Sequence, residues 1–136
     1  MKMKLADVLV RATQLEYLAR KQLPVRLSYA IGRNRDAFAK EYQRYEAERI
    51  KMCEMFSDKD ADGKPIVENN NYQMTDEART ELNEALQEFR NTTEVDIEIY
   101  KYTKPINTLL DELDGNSRFD ALSADDLRLL SFLIDE

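Results

Sequence analysis

The sequence predicts a mostly helical α+β fold: a long antiparallel helical hairpin, a small antiparallel sheet and two or three further helices, in a single domain over residues 1-136. Three observations predict it. Apolar residues recur at helical spacing through most of residues 5–57. A run from Glu94 to Tyr102 alternates apolar with polar residues. Thr75 and Ser123 each stand as a cap before a further apolar stripe. With 43% hydrophobic residues in 136, the chain can bury one good core and is short for two.

Leu5, Val8, Leu9, Ala12, Leu15, Leu18 and Ala19 give a first amphipathic helix of about four turns. Pro24 ends it or opens the next, since proline is tolerated in a first helical turn. Beyond it Leu27, Ile31, Phe38, Tyr45, Met52 and Phe56 carry a second, long helix over about residues 24–57. Ile31, Phe38, Tyr45 and Met52 repeat every seven residues, the seam on which a partner helix packs. The first helix is the nearest partner, and a second copy of the chain also fits. Asn34 and Arg49 lie on or beside this seam. A polar group there needs a buried carbonyl or carboxylate, or must reach water past the stripe's edge.

DKDADGKPIVEN, residues 58–69, begins like a calcium-binding loop, with Asp58, Asp60, Asp62 and Gly63 at the first four key positions. The closing position holds Asn69 instead of glutamate, and Pro65 follows the bend. A structural turn, with Asp58 at the exit of the long helix and Asp62-Gly63 starting a tight turn, is the favoured reading; no metal ligand is assigned. The asparagine run at 69–71 then suits a small hairpin. Thr75 caps a third helix whose inner face is Ala78, Leu82, Ala85, Leu86 and Phe89. Val95, Ile97 and Ile99 form one face of a strand over residues 94–102, with Asp96, Glu98 and Tyr100 on the other. It needs a pairing partner, either the hairpin or another chain. A short helix around Ile106–Leu113, a turn at Gly115-Asn116, and a final helix capped by Ser123 complete the chain.

The 136 residues include no histidine, the commonest general base and transition-metal ligand, which weighs against hydrolase or zinc chemistry. Cys53 is alone and inside a helical pattern, so a packed, inert thiol is expected. The three glycines form no phosphate-cradling loop, and no cofactor is assigned. No apolar run is long enough for a bilayer. The N-terminus brings in charge too early for a secretory signal, so the expectation is a cytosolic protein with no membrane partner. The net charge of −7 hides a polarity: residues 1–57 carry 12 basic against 7 acidic residues, and residues 58–136 carry 8 against 20. The halves neutralise each other, or one meets a charged partner. Along the second helix Tyr29, Arg33, Arg35, Tyr42, Arg44, Tyr45 and Arg49 interleave rings with guanidinium groups, a pattern able to stack a base and hold a phosphate. Core-edge tyrosines, and arginines paired with the acidic half, are the favoured alternative. Duplex nucleic acid is not expected at a sequence pI near 4.8.

LPVRLSYAIGRNRDAF, YEAERIKM, the DADGKP loop, EVDIEIYKY and LSADDLRLLSFLIDE, in that order, give a pattern that resembles a family of small uncharacterised proteins of tailed phages and prophages. The resemblance implies a phage setting and carries over no catalytic residue. On this reading the chain is a non-catalytic binding protein that occludes a host or defence protein in the host cytosol, its acidic half steering onto a basic surface. The candidate contact residues are Asp96, Glu98, Tyr100, Asp111, Glu112 and Asp114. A second expectation is an oligomeric sponge for a nucleotide signal, with Tyr29, Arg33, Tyr42, Arg44 and Arg49 lining a pocket between chains. A virion assembly factor is the third.

Overall fold

A computed structural model describes residues 1–134. Strand β1 (Lys2–Lys4) leads without a break into helix α1 (Leu5–Ala19), and a short turn through Pro24 leads into helix α2 (Val25–Phe56). The hairpin of strands β2 (Val67–Glu68) and β3 (Asn71–Tyr72) follows, then helix α3 (Asp76–Thr92) and strand β4 (Glu94–Asp96). Helices α4 (Ile106–Leu113) and α5 (Ala124–Leu130) come last, the latter running into a 3-10 turn at Ser131–Leu133. The fold is mostly helical α+β, built on a long helix pair, α1 and α2, with two small antiparallel sheets.

The 32 residues of α2 span about 48 Å, twice the reach of the 15-residue α1. Its seam is therefore shared between two helices of the same chain. Ile31 and Phe38 join Val8, Ala12, Leu15 and Leu18 of α1 in the main core. Tyr45 and Met52 meet α3, where Tyr45 stacks on Phe89 at 6.2 Å and accepts a 2.8 Å hydrogen bond from Arg90. Cys53 is buried with Leu82 and Leu86 in a second, smaller cluster against which Met52 and Phe56 pack.

Local signals place several boundaries. Asn69 and Asn70 have φ of 52° and 64°, both positive as a two-residue hairpin turn requires. The Thr75 hydroxyl accepts the Ala78 N–H at 3.1 Å, and Ser123 and Asp126 form a reciprocal capping box at the start of α5. The 58–64 loop closes on itself. One Asp60 carboxylate oxygen accepts the N–H groups of both Asp62 and Lys64 at 2.9 Å, and Gly63 sits at φ 78°. Asp58 contributes backbone rather than a side-chain cap: its N–H donates to the Gln73 carbonyl at 2.7 Å and its carbonyl accepts from Ile66.

Two boundaries differ from the sequence-based expectation. The alternating run does not pair with the hairpin, and its ladder with β1 covers β4 and ends one residue later, at Ile97. Over β4, Lys2, Met3 and Lys4 of β1 face Asp96, Val95 and Glu94 in antiparallel register. A three-residue strand such as β1 shows too little alternation to be seen by pattern, so its pairing residues read as helix lead-in. The chain also leaves α5 earlier than its apolar stripe suggests: after Leu133, Ile134 is extended and bridges Tyr102 in parallel fashion. Leu130, Leu133 and Ile134 are all buried, so the stripe serves the core from three different backbone states.

The buried Asp126 ties the end of α1 to α5. Burial disfavours its charge. The Ser123 backbone N–H, the Tyr17 hydroxyl and the Lys21 ammonium, 3.6 Å away, outweigh that and hold the carboxyl below the usual aspartate range. Because its folded pKa is depressed, the stability it contributes is present above the unfolded value of about 4 and is lost as pH falls through the folded value. In Asp126→Asn this contribution is missing at every pH. The gap in melting temperature between wild type and variant is therefore expected to narrow on acidification below about pH 4, and a gap independent of pH refutes the assignment.

Candidate functional site

Beyond β4 the chain from Ile97 to Thr103 lies against α2. Ile97 continues the β1 ladder: its N–H donates to the Met1 carbonyl and its carbonyl accepts from the Met1 amino group, both at 2.9 Å. At Tyr100 a side chain takes over. The Asn34 amide donates to the Tyr100 carbonyl at 2.8 Å, and its oxygen accepts the Tyr100 N–H at 2.9 Å. Asn34 thus does for Tyr100 what a neighbouring strand would do. Its second amide hydrogen goes to the Ala30 carbonyl at 2.7 Å, so this residue, 1% exposed, has every donor satisfied. Two residues on, the Tyr102 N–H donates to the Leu133 carbonyl at 2.6 Å.

Successive residues of an extended chain turn their backbone groups to opposite edges. Tyr100 and Tyr102 face inward, toward Asn34 and Leu133. Ile97 faces the other edge, which β1 occupies, and the same alternation puts the backbone groups of Ile99 and Lys101 on that edge beyond β1. Among the described residues the N–H and C=O groups of Ile99 and Lys101 have no hydrogen-bond partner. Past Ile97 the run is thus bonded on the Tyr100–Tyr102 side, with Ile99 and Lys101 left unbonded.

Two shallow cavities lie between this run and α2, on the side of the Tyr100–Asn34 bonds and across the run from the edge at Ile99 and Lys101. The first, of about 680 Å³, is lined by Arg33, Asp36 and Lys40 of α2 and by Glu98, Tyr100 and Lys101 of the run. The second, of about 400 Å³, is lined by Val25, Arg26 and Tyr29 of α2 and by the run from Tyr100 to Thr103. Tyr100 is the ridge between them, edge-on to the Tyr29 ring at 5.5 Å. The Arg33 guanidinium lies 5.2 Å from the Tyr100 centroid and donates to the Tyr29 hydroxyl at 3.2 Å. That hydrogen bond, with Tyr29, Tyr100 and Glu98 nearby, raises the Arg33 pKa above its ordinary value, so the group is cationic throughout the accessible pH range. Burial, then Glu112, raises the Tyr102 phenol pKa, with Arg26 opposing. Lys101 turns away from the ridge and donates to the Phe132 carbonyl at 2.7 Å.

The structure brings together members of both expected residue sets and separates the rest. Glu98 and Tyr100 from the first set meet Tyr29 and Arg33 from the second. Asp96 is elsewhere, 3.2 Å from the Met1 amino group. Glu112 pairs with Lys104 at 3.2 Å, while Asp111 and Asp114 are exposed along α4 and its end, outside both cavities. Tyr42 lines a separate notch between α1 and α2 with Ala12, Thr13 and Glu16. Arg44 is taken by Glu41 at 2.8 Å and Arg49 by Glu46 at 2.9 Å. These arginines pair within their own helix instead of with the acidic half. Lys21–Asp126 is the one ion pair between side chains of the two halves among the described residues.

Sequence reasoning missed Val25, Arg26, Lys40 and Lys101 as groove residues. A signal was present: Arg26, Arg33 and Lys40 stand seven residues apart, as regular as the apolar seam and on one face of the same helix. No protein-family model, curated protein or solved structure matches the chain.

Proposed function

We propose that this chain is a non-catalytic binding protein that takes an extended segment of a protein partner as an added strand along Ile97–Thr103. The observation that carries the reading is the open edge at Ile99 and Lys101, continuous with the ladder that β1 already forms at β4. Strand addition supplies affinity through main-chain hydrogen bonds and specificity through pockets for alternate side chains. Tyr29, Tyr100 and Val25, all exposed, offer apolar surface beside that edge. In the phage setting that the sequence resemblance implies, the partner is a host or defence protein of the cytosol, and pairing along this edge sequesters it.

Amide hydrogen exchange tests the reading on the complex captured from host lysate. In the free protein the Ile99 and Lys101 amides are expected to exchange rapidly, and partner addition to slow both by tenfold or more. A captured partner that leaves both amides unprotected overturns strand addition. Released nucleotide with no protein partner overturns protein binding in favour of the sponge. A partner set made of virion proteins keeps the groove and replaces occlusion with assembly. The intact mass of the particle reports whether a second copy of the chain is the occupant.

A further inference from the structure

We infer that the segment added at this edge is acidic, with a carboxylate reaching across the Tyr100 ridge to Arg26 in the second cavity. This rests on the strand-addition reading for its geometry and on a separate observation for its charge. Helix α2 carries seven cationic residues: Arg26, Arg33, Arg35, Lys40, Arg44, Arg49 and Lys51. Four have carboxylate partners within the chain, Arg35 with Glu16 and Asp36, Arg44 with Glu41, Arg49 with Glu46, and Lys51 with Glu48. The other three, Arg26, Arg33 and Lys40, form no ion pair among the described residues, and they are the three that line the two cavities.

The pairing pattern thus changes at the groove, although the chain as a whole carries a charge of −7 and has carboxylates to spare. An unpaired guanidinium on an acidic protein is a fixed attraction for an incoming anion, strengthened wherever binding excludes water. Successive members of the trio are about 10 Å apart along the helix, so all three span roughly 21 Å, the length of about six residues of extended chain. The first cavity also holds Asp36 and Glu98, which temper its preference; Asp36 already faces Arg35 at 3.6 Å. The second cavity is lined by Arg26 with no carboxylate, the Lys101 ammonium being held on the Phe132 carbonyl, and Glu112 on α4 is engaged by Lys104. An acidic side chain is favoured there, and apolar neighbours in the segment meet Val25 and Tyr29.

Three fluorescent decapeptides test this with the full-length protein: alternating Glu-Val, Thr-Val and Lys-Val sequences, followed by anisotropy at 50 and 300 mM salt. The Glu-Val peptide is expected to bind at least tenfold more tightly than the Thr-Val peptide, and the Lys-Val peptide more weakly than either. The advantage shrinks at high salt as the screening length shortens. Arg26→Glu with Arg33→Glu removes it, while Arg44→Glu, on the same helix and outside both cavities, keeps it. Circular dichroism and melting of each variant separate lost binding from lost fold. Equal affinity for Glu-Val and Thr-Val peptides, with Ile99 and Lys101 amides protected by both, overturns the acidic preference and leaves strand addition standing. Absence of amide protection by every peptide counts against strand addition itself.

Discussion

Asn34→Leu is expected to lower stability by about 3 kcal/mol, near 10 °C in melting temperature, and to abolish partner capture along with it. Leucine fills a similar volume. It cannot donate to the Tyr100 carbonyl or accept the Tyr100 N–H, now bonded at 2.8 and 2.9 Å. Both backbone groups then lose their partner beside a buried position, at a cost of about 1–3 kcal/mol each, offset in part by removal of the polar amide. The functional loss follows from the same bonds. With Tyr100 released, the edge at Ile99 and Lys101 has no fixed position from which to template a strand, and the Tyr29–Arg33–Tyr100 cluster comes apart. Urea unfolding measures the first effect and hydrogen exchange over residues 97–103 the second. A leucine variant within 0.5 kcal/mol of wild type removes Asn34 from this role.

Phe38→Ala is expected to cost about 4 kcal/mol, the larger of the two effects, because truncating a fully buried phenylalanine loses its transfer energy and leaves a cavity. Phe38 is 0% exposed at the point where α1, α2 and the end of the chain meet, and its ring lies edge-on to Phe132 at 6.2 Å. Phe132 in turn has Arg11 over its face at 4.1 Å and offers its carbonyl to Lys101. The cavity therefore loosens the floor beneath the groove as well as the helix pair. Urea denaturation read by circular dichroism checks the magnitude. A loss below 1 kcal/mol would mean that the core collapses around the deletion and that the groove stands independently of it.

The reading of the site shows where local information ends. Arg26, Arg33 and Lys40 were visible as residues, and their spacing was regular, yet their significance depends on which carboxylates lie within 4 Å of them. That is a matter of three-dimensional distance. The acidic half of the chain was expected to neutralise the arginines of the basic half; instead Glu41 and Glu46, one turn away on α2, reach Arg44 and Arg49 first. An i,i+3 pair needs only a helix to form, whereas a pair across the chain needs two surfaces to coincide. Asp111 and Asp114 illustrate the converse: grouped with the expected contact residues, they line neither of the cavities that Tyr100 separates.

What the sequence determined by itself was every element whose cause is local. The seven-residue interval of Ile31, Phe38, Tyr45 and Met52, the caps at Thr75 and Ser123, and the asparagine turn at residues 69–70 each act within a few residues of chain, so they specified α2, α3, α5 and the β2–β3 hairpin directly. Tertiary structure alone decided the pairing of β1 with β4 and the docking of residues 97–103 on α2. Asn34 and Tyr100 are 66 positions apart, and a side-chain amide that stands in for a strand leaves no periodic trace in either segment. Only the packing of α1, α2 and the chain's last helix brings that amide and that backbone within bonding distance, and with them the open edge on which the proposed function depends.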